Sequence, residues 1–268
     1  MAEEPSVNIS GSDAGGGAAA DFEAATAATR AEAVVDELGD RYWQKAYGGR
    51  DGFECLVRTV LSQNTSDTAS QPAHDALLER YGGGDLAAAL ADADQPTLAE
   101  TISGAGLYNQ KSTRLIALAE FVVETYGGAD GFDGFVTEAP PDEVRETLLE
   151  LNGVGPKTAD CVLLFSGGRD GVFPVDTHVH RIARRMGLAP ADADHEAVRS
   201  ALEADVPGEK CGFGHTAMIQ FGREYCTARK PACLDDPEAC PLADRCDQVG
   251  VYPERGEVVD PADAPEIE

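Results

Sequence analysis

Leu151–Phe165 reads LNGVGPKTADCVLLF, directly after PPDEVRETLLE at Pro140–Glu150. Proline suits the first turn of a helix and Asp142 and Glu143 favour its positive end, so a helix is expected from Pro140 with Val144, Leu148, Leu149 and Leu151 as its buried stripe. It should stop at Asn152. Asn152-Gly153-Val154-Gly155-Pro156 then makes a tight turn, and Lys157–Phe165 starts a second helix with Val162, Leu163, Leu164 and Phe165 turned inward. Two glycines permit close backbone approach, and the start of the second helix offers N–H groups at its positive end. Gly153 and Gly155 are therefore candidate phosphate contacts, although the same pattern also describes an ordinary turn between helices.

Outward from this hairpin the pattern stays helical. Phe53, Leu56, Val57, Val60 and Leu61 recur with helix period, and similar stripes run through Thr113–Tyr126 and His195–Leu202. β-Branched alternating runs are scarce, so the class is all-α. Ser10–Ala20 is Gly/Ala/Ser-rich, with too little apolar bulk to offset the entropy of ordering it, and residues 1–21 are expected to be a disordered tail. No apolar run reaches the roughly 20 residues that span a bilayer. The acidic N-terminus resembles no export signal, so a cytoplasmic location and no membrane partner are expected.

The 268 residues carry 21 Lys+Arg against 48 Asp+Glu, a formal charge of -27, which on its own argues against nucleic acid. The charge is uneven, however. Residues 1–40 hold nine acids and one Arg, and residues 247–268 seven acids and one Arg. Leu151–Pro190 instead carries Lys157, Arg169, Arg181, Arg184 and Arg185 against three acids, and Leu107–Ala119 has Lys111 and Arg114 with none. These two stretches are the candidate polyanion-facing surfaces. Only five of the basic residues are Lys, a composition that resembles proteins of salt-accumulating archaea. Since the Debye length shrinks to about 3 Å near 1 M salt, global acidity then no longer excludes DNA, and activity is expected to be best at elevated KCl.

The hairpin segment, followed by FPVDTHVHRIARRMGL at Phe173–Leu188, resembles the helix–hairpin–helix signature of the endonuclease III family of DNA repair enzymes. LSQNTSDTAS at Leu61–Ser70 and GLYNQKS at Gly106–Ser112 resemble two further family segments, and the likeness runs from about Gln44 to Gln248. The resemblance implies two helical domains. One is a helical barrel with the hairpin, over 45–169; the other joins 22–44 to 170–252 around an iron–sulfur cluster, leaving 253–268 as an acidic tail. It further implies a bifunctional DNA glycosylase/AP lyase of base excision repair, acting as a monomer on damaged double-stranded DNA and removing oxidised pyrimidines. A thymine- or adenine-specific mismatch glycosylase and a non-catalytic DNA-binding module are the alternatives.

Chemistry assigns the roles. A lysine amine attacks a sugar only when neutral, and its reference pKa of about 10.4 must be depressed for that. Lys157 opens a helix, where the macrodipole disfavours positive charge, and spacing alone leaves it as either nucleophile or phosphate contact. The resemblance makes it the nucleophile, facing Asp176 across the cleft between the domains. Asp176 is expected to assist catalysis or to cap the following helix, and to do both only if its two oxygens divide the work. Flipping a base leaves a gap to be filled. By resemblance Leu107 and one of Gln63 or Asn64 fill it, with Asn64 standing where the family usually has Gln. Lys111, His178, Arg181, Arg229 and Lys230 complete the expected DNA contacts.

Four cysteines fall together as Cys226-x6-Cys233-x6-Cys240-x5-Cys246, and in a cytoplasmic chain such crowding points to metal or cluster ligation before disulfides. The family pattern implies a [4Fe–4S] cluster, with a four-Cys zinc site as the alternative. The middle gap is six residues where the family has two, so part of LDDPEA must bulge outward. Cys55, Cys161 and Cys211 read as buried small apolar residues.

Overall fold

The computed structural model describes residues 17–19, 22, 24–45, 51–65 and 67–265. Its helices along the chain are α1 (Arg30–Gly39), α2 (Gly52–Ser62), α3 (Asp67–Tyr81), α4 (Leu86–Ala91), α5 (Gln95–Thr101), α6 (Tyr108–Tyr126) and α7 (Ala129–Glu138). They continue as α8 (Pro141–Glu150), α9 (Pro156–Phe165), α10 (Thr177–Met186), α11 (His195–Asp205), α12 (Gly208–Glu224) and the short α13 (Ala232–Asp235). The described residues are all-α apart from two small antiparallel pairs, Gly17–Ala19 with Trp43–Lys45 and Val251–Tyr252 with Glu257–Val258. None of the described helices is long and apolar enough to cross a membrane. The described residues fall into two compact units, one within 47–169 and one joining the chain before it to 170–265.

In the 47–169 unit α2 is central. The stripe read from its sequence is fully buried, with Phe53, Leu56, Val57, Val60 and Leu61 all at 0% exposure. Each such side chain contributes about 1.5–3 kcal/mol of burial. Asp51 caps the helix by accepting from the Glu54 N–H at 2.7 Å, and α2 packs on α3, α7 and α9. The hairpin helices α8 and α9 are joined by an ion pair, Arg145 Nε to Asp160 Oδ1 at 2.7 Å, with Asp160 buried. Truncating one partner of such a pair leaves a buried charge uncompensated.

The second unit is built on α1, α10, α11 and α12, whose Val34, Leu38, Val179, Ile182, Val198, Leu202, Phe213 and Phe221 form one core. Thr29 caps α1 by accepting from the Glu32 N–H, and Glu32 reaches back to accept from the Ala28 N–H. Lys210 on α12 pairs with Glu32 and Asp36 on α1, which locks these helices together.

Three expectations change. The tail expected over 1–21 lies largely outside the described residues, but Gly17–Ala19 forms a strand, because backbone pairing needs no apolar side chains. The acidic segment from 253 is no loose tail as far as residue 265. Its strand pairs with Val251–Tyr252, Val259 N–H donates to Gly250 O, and Arg184 binds the Asp260 carboxylate. The helix expected from Thr113 begins five residues earlier, at Tyr108.

Candidate active site and cysteine centre

The turn between α8 and α9 spans Leu151–Gly155, closed by Val154 N–H donating to Leu151 O at 3.0 Å. Gly153 adopts φ +85°, and a Cβ there would lie 1.8 Å from Arg114 Nε, so only glycine fits. Gly155 is the N-cap of α9 and has open space beside it. No side chain caps α9, and Pro156 occupies its first turn. Lys157 is thus the second residue of a helix whose start faces outward through backbone, and it is half-buried. Thr158 and Ala159, the next residues, are buried.

The two segments expected to fill a base gap lie in the same unit as this hairpin. Asn64 (φ +52°) and Leu107 (φ +49°) are two of the three described non-glycine residues with positive φ. Such backbone costs of order 1–3 kcal/mol and persists only where its surroundings over-determine it. Both residues are exposed, and Leu107, at 53%, is no core leucine. Gln63 is instead held internally: its Nε2 donates to Gly153 O and Thr158 Oγ1, each at 3.1 Å, while Arg114 Nη1 donates to its Oε1 at 2.8 Å. Of the pair left open by the sequence, Asn64 is the one that projects.

Lys111 is corrected from a DNA contact to an interior residue, because it is only 2% exposed. Its ammonium donates to Leu61 O, Thr65 Oγ1 and Ala105 O at 2.7–2.8 Å, and burial with Arg114 nearby pulls its pKa down to about 8. The arginines of 151–190 are similarly committed. Arg169 donates to the carbonyls of Val136 and Ala139, and Arg184 to that of Ala191. Arg181 donates to Cys226 O through Nε and Nη2 at 3.0 and 2.8 Å, and its Nη2 lies 3.1 Å from His178 Nδ1. Arg181 and His178 are half-buried against α12 and its following turn, and burial lowers both pKa values. Arg229 and Lys230 remain exposed on the loop after Cys226.

Asp176 is the N-cap of α10, and a single oxygen makes both cap bonds: Oδ1 accepts from His178 N–H at 2.8 Å and Val179 N–H at 2.9 Å. Oδ2 makes neither of the cap bonds.

Cys226, Cys233, Cys240 and Cys246 line one apolar pocket of about 20 Å3, walled by Met186, Phe221, Tyr225 and Val251. Among the described residues no three His, Cys, Asp or Glu side chains converge tightly enough for one metal ion. Four thiols around one pocket are the donor set that a [4Fe–4S] cluster or a four-Cys zinc ion takes. Burial and neighbouring thiols push Cys233, Cys240 and Cys246 up, Cys246 to about 12, so their thiolates need a compensating cation. Gln248 N–H donates to Cys246 Sγ at 3.4 Å and Arg185 Nη1 to Cys226 Sγ at 3.6 Å, bonds that suit thiolate ligands. The four extra residues between Cys233 and Cys240 are taken up by the end of α13 and a 3-10 turn, Pro237–Ala239, capped by Asp236. Sequence reasoning missed Arg185, whose guanidinium clamps the ligand loop at Thr227 O and Ala228 O, both at 2.7 Å.

Residues 57–207 match the family model of HhH-GPD superfamily base excision DNA repair proteins, and 226–246 match the iron–sulfur binding domain of endonuclease III. Endonuclease III of Thermotoga maritima is 36% identical over 197 residues, covering 74% of this chain and 83% of that protein. That of Bacillus subtilis is 32% identical over 219 residues, covering 80% and 90%. A solved structure of a trapped endonuclease III–DNA covalent intermediate is similar with a TM-score of 0.62 at 30% identity, covering 75% of this chain and 85% of the other.

Proposed function

Because this chain belongs to the endonuclease III family of HhH-GPD base excision DNA repair proteins, we propose that Lys157 is the amine that bonds to deoxyribose and Asp176 the carboxylate that supports it. The protein is a DNA glycosylase/AP lyase of base excision repair, its partner is DNA, and it binds a [4Fe–4S] cluster. As cluster ligands we propose Cys226, Cys233, Cys240 and Cys246. The cluster supplies cross-linking that orders 226–246; Arg229 and Lys230 on that loop then meet phosphate.

The reading rests most on the way the glycine turn delivers Lys157 at the second position of α9. The neutral Nζ attacks C1′ as the bond from C1′ to the base breaks, and the base leaves with that electron pair and gains a proton. Loss of the amine proton and ring opening give a Schiff base. Removal of a C2′ proton then expels the 3′ phosphate, nicking the strand. Asp176 Oδ2 stabilises the positive charge that develops on the sugar while Oδ1 keeps α10 capped. Asn64 and Leu107 occupy the space left by the extruded nucleotide, and the backbone around Gly153 and Gly155 holds a phosphate.

The substrate class is oxidised or ring-saturated pyrimidines in duplex DNA, and the acidic exterior fits a cytoplasm rich in salt. Strand cleavage on a panel of lesion and mismatch duplexes in high-KCl buffer tests this. Preferential cutting at oxidised pyrimidines is expected; preferential excision of mismatched thymine or adenine would replace the substrate assignment, and binding without cutting would refute the catalytic one.

A further inference from the structure

Lys111 takes no part in the reaction above, yet it is among the most completely buried charged residues of its unit. Its three N–H donors meet three acceptors, Leu61 O at 2.7 Å, Thr65 Oγ1 at 2.8 Å and Ala105 O at 2.7 Å. An ammonium without such partners would not remain charged in the interior. The acceptors lie at the roots of two different loops, Leu61 at the end of α2. Leu61 and Thr65 bracket the turn that carries Asn64, and Ala105 stands two residues before Leu107. The Thr65 hydroxyl also donates to Ala105 O, so the two loops are tied directly as well as through the ammonium. Their tips are the two exposed positive-φ residues, Asn64 and Leu107, with Gly106 also at positive φ (+61°) between cage and tip.

We propose that Lys111 is a positioning residue, a charged strut that fixes the Asn64 and Leu107 tips in their outward conformation so that both are set before a base is extruded. This rests on the reading that those tips enter the duplex. Lys111 acts through the loops and touches no DNA. The cage explains how two unfavourable backbone conformations are maintained at the surface: their roots are joined to one buried group. It also places the cost of ordering the tips in folding instead of in the encounter with DNA.

The test compares Lys111→Met with Leu107→Ala on three substrates: a lesion paired in a duplex, the same lesion unpaired in a bulge, and a preformed abasic site. Extrusion against pairing and stacking is demanded only by the first. Lys111→Met should lower excision from the paired duplex by about tenfold while leaving the other two within about twofold. A 2-aminopurine beside the paired lesion should lose its fluorescence rise on binding. Thr65→Val, which removes one acceptor without changing shape, should show a weaker form of the same selectivity and carries the test if Lys111→Met does not fold. Equal loss on all three substrates, or no loss on the paired duplex, overturns the strut. If Leu107→Ala is itself unselective, the reading of the tips has failed and the strut falls with it; if Leu107→Ala alone is selective, only the strut is lost.

Discussion

Gln63 Nε2 stands 3.1 Å from the carbonyl oxygen of Gly153, joining the end of α2 to the turn that presents Lys157. The same amide nitrogen reaches Thr158 Oγ1, and Arg114 holds the other end of the amide. Gln63→Ala should destabilise the fold by about 1–3 kcal/mol, since it strips partners from part-buried polar groups. Binding of abasic duplex should weaken with it. Thermal unfolding and fluorescence anisotropy check this; unchanged values would mean that the hairpin holds its shape unaided.

Asp176 offers a cleaner separation of stability from chemistry. Asn at this position retains an oxygen to accept from the His178 and Val179 N–H groups but loses the charge. Asp176→Asn should therefore unfold close to the unmodified protein while base excision collapses, whereas Asp176→Ala should lose excision and also about 1 kcal/mol of stability with the cap. Parallel calorimetry and single-turnover assays distinguish the two. Full excision by Asp176→Asn would remove the charge from the mechanism.

Chelation of the iron should act on the loop before it acts on the helices. Without a cation Cys246 reverts to a neutral thiol, its pKa pushed up to about 12, and 226–246 is left with a few polar ties, chiefly those of Arg181 and Arg185 to the carbonyls of Cys226, Thr227 and Ala228. Hydrogen exchange should rise across that segment first, alongside loss of visible cluster absorbance. Exchange that rises uniformly through both units would contradict a local role.

Lys111 makes stability depend on pH in a defined window. Folding lowers its pKa from 10.5 to about 8, so between those values the unfolded chain holds a proton that the folded chain has released. Stability from this residue therefore increases with pH across the window. The difference in Tm between the unmodified protein and Lys111→Met should shift in favour of the unmodified protein from pH 7.5 to pH 10, about the bounds that the linkage sets. A constant difference would mean that the amine titrates normally.

The sequence was most legible where one residue type alone satisfies the backbone or the chemistry. Gly153 calls for glycine because its backbone turns to φ +85°, and the four crowded cysteines have few uses other than ligation. It was least legible for basic residues. Lys111 and Arg181 read as surface charge, but their partners are main-chain carbonyls and a hydroxyl, groups every residue or many residues supply and no pattern marks. The folding back of the C-terminal segment was hidden for a related reason: Asp260 is one acid among many until Arg184 is seen opposite it. Asn64 and Gln63 are adjacent and chemically alike, and only the backbone angle separates the one that projects from the one that braces.

Borohydride trapping on abasic duplex tests the central assignment most directly. The unmodified protein should form a covalent adduct whose modified peptide carries the label at Lys157, and Lys157→Ala should form none while still binding the duplex. An undiminished adduct with Lys157→Ala, or a label on any other lysine, would contradict the account.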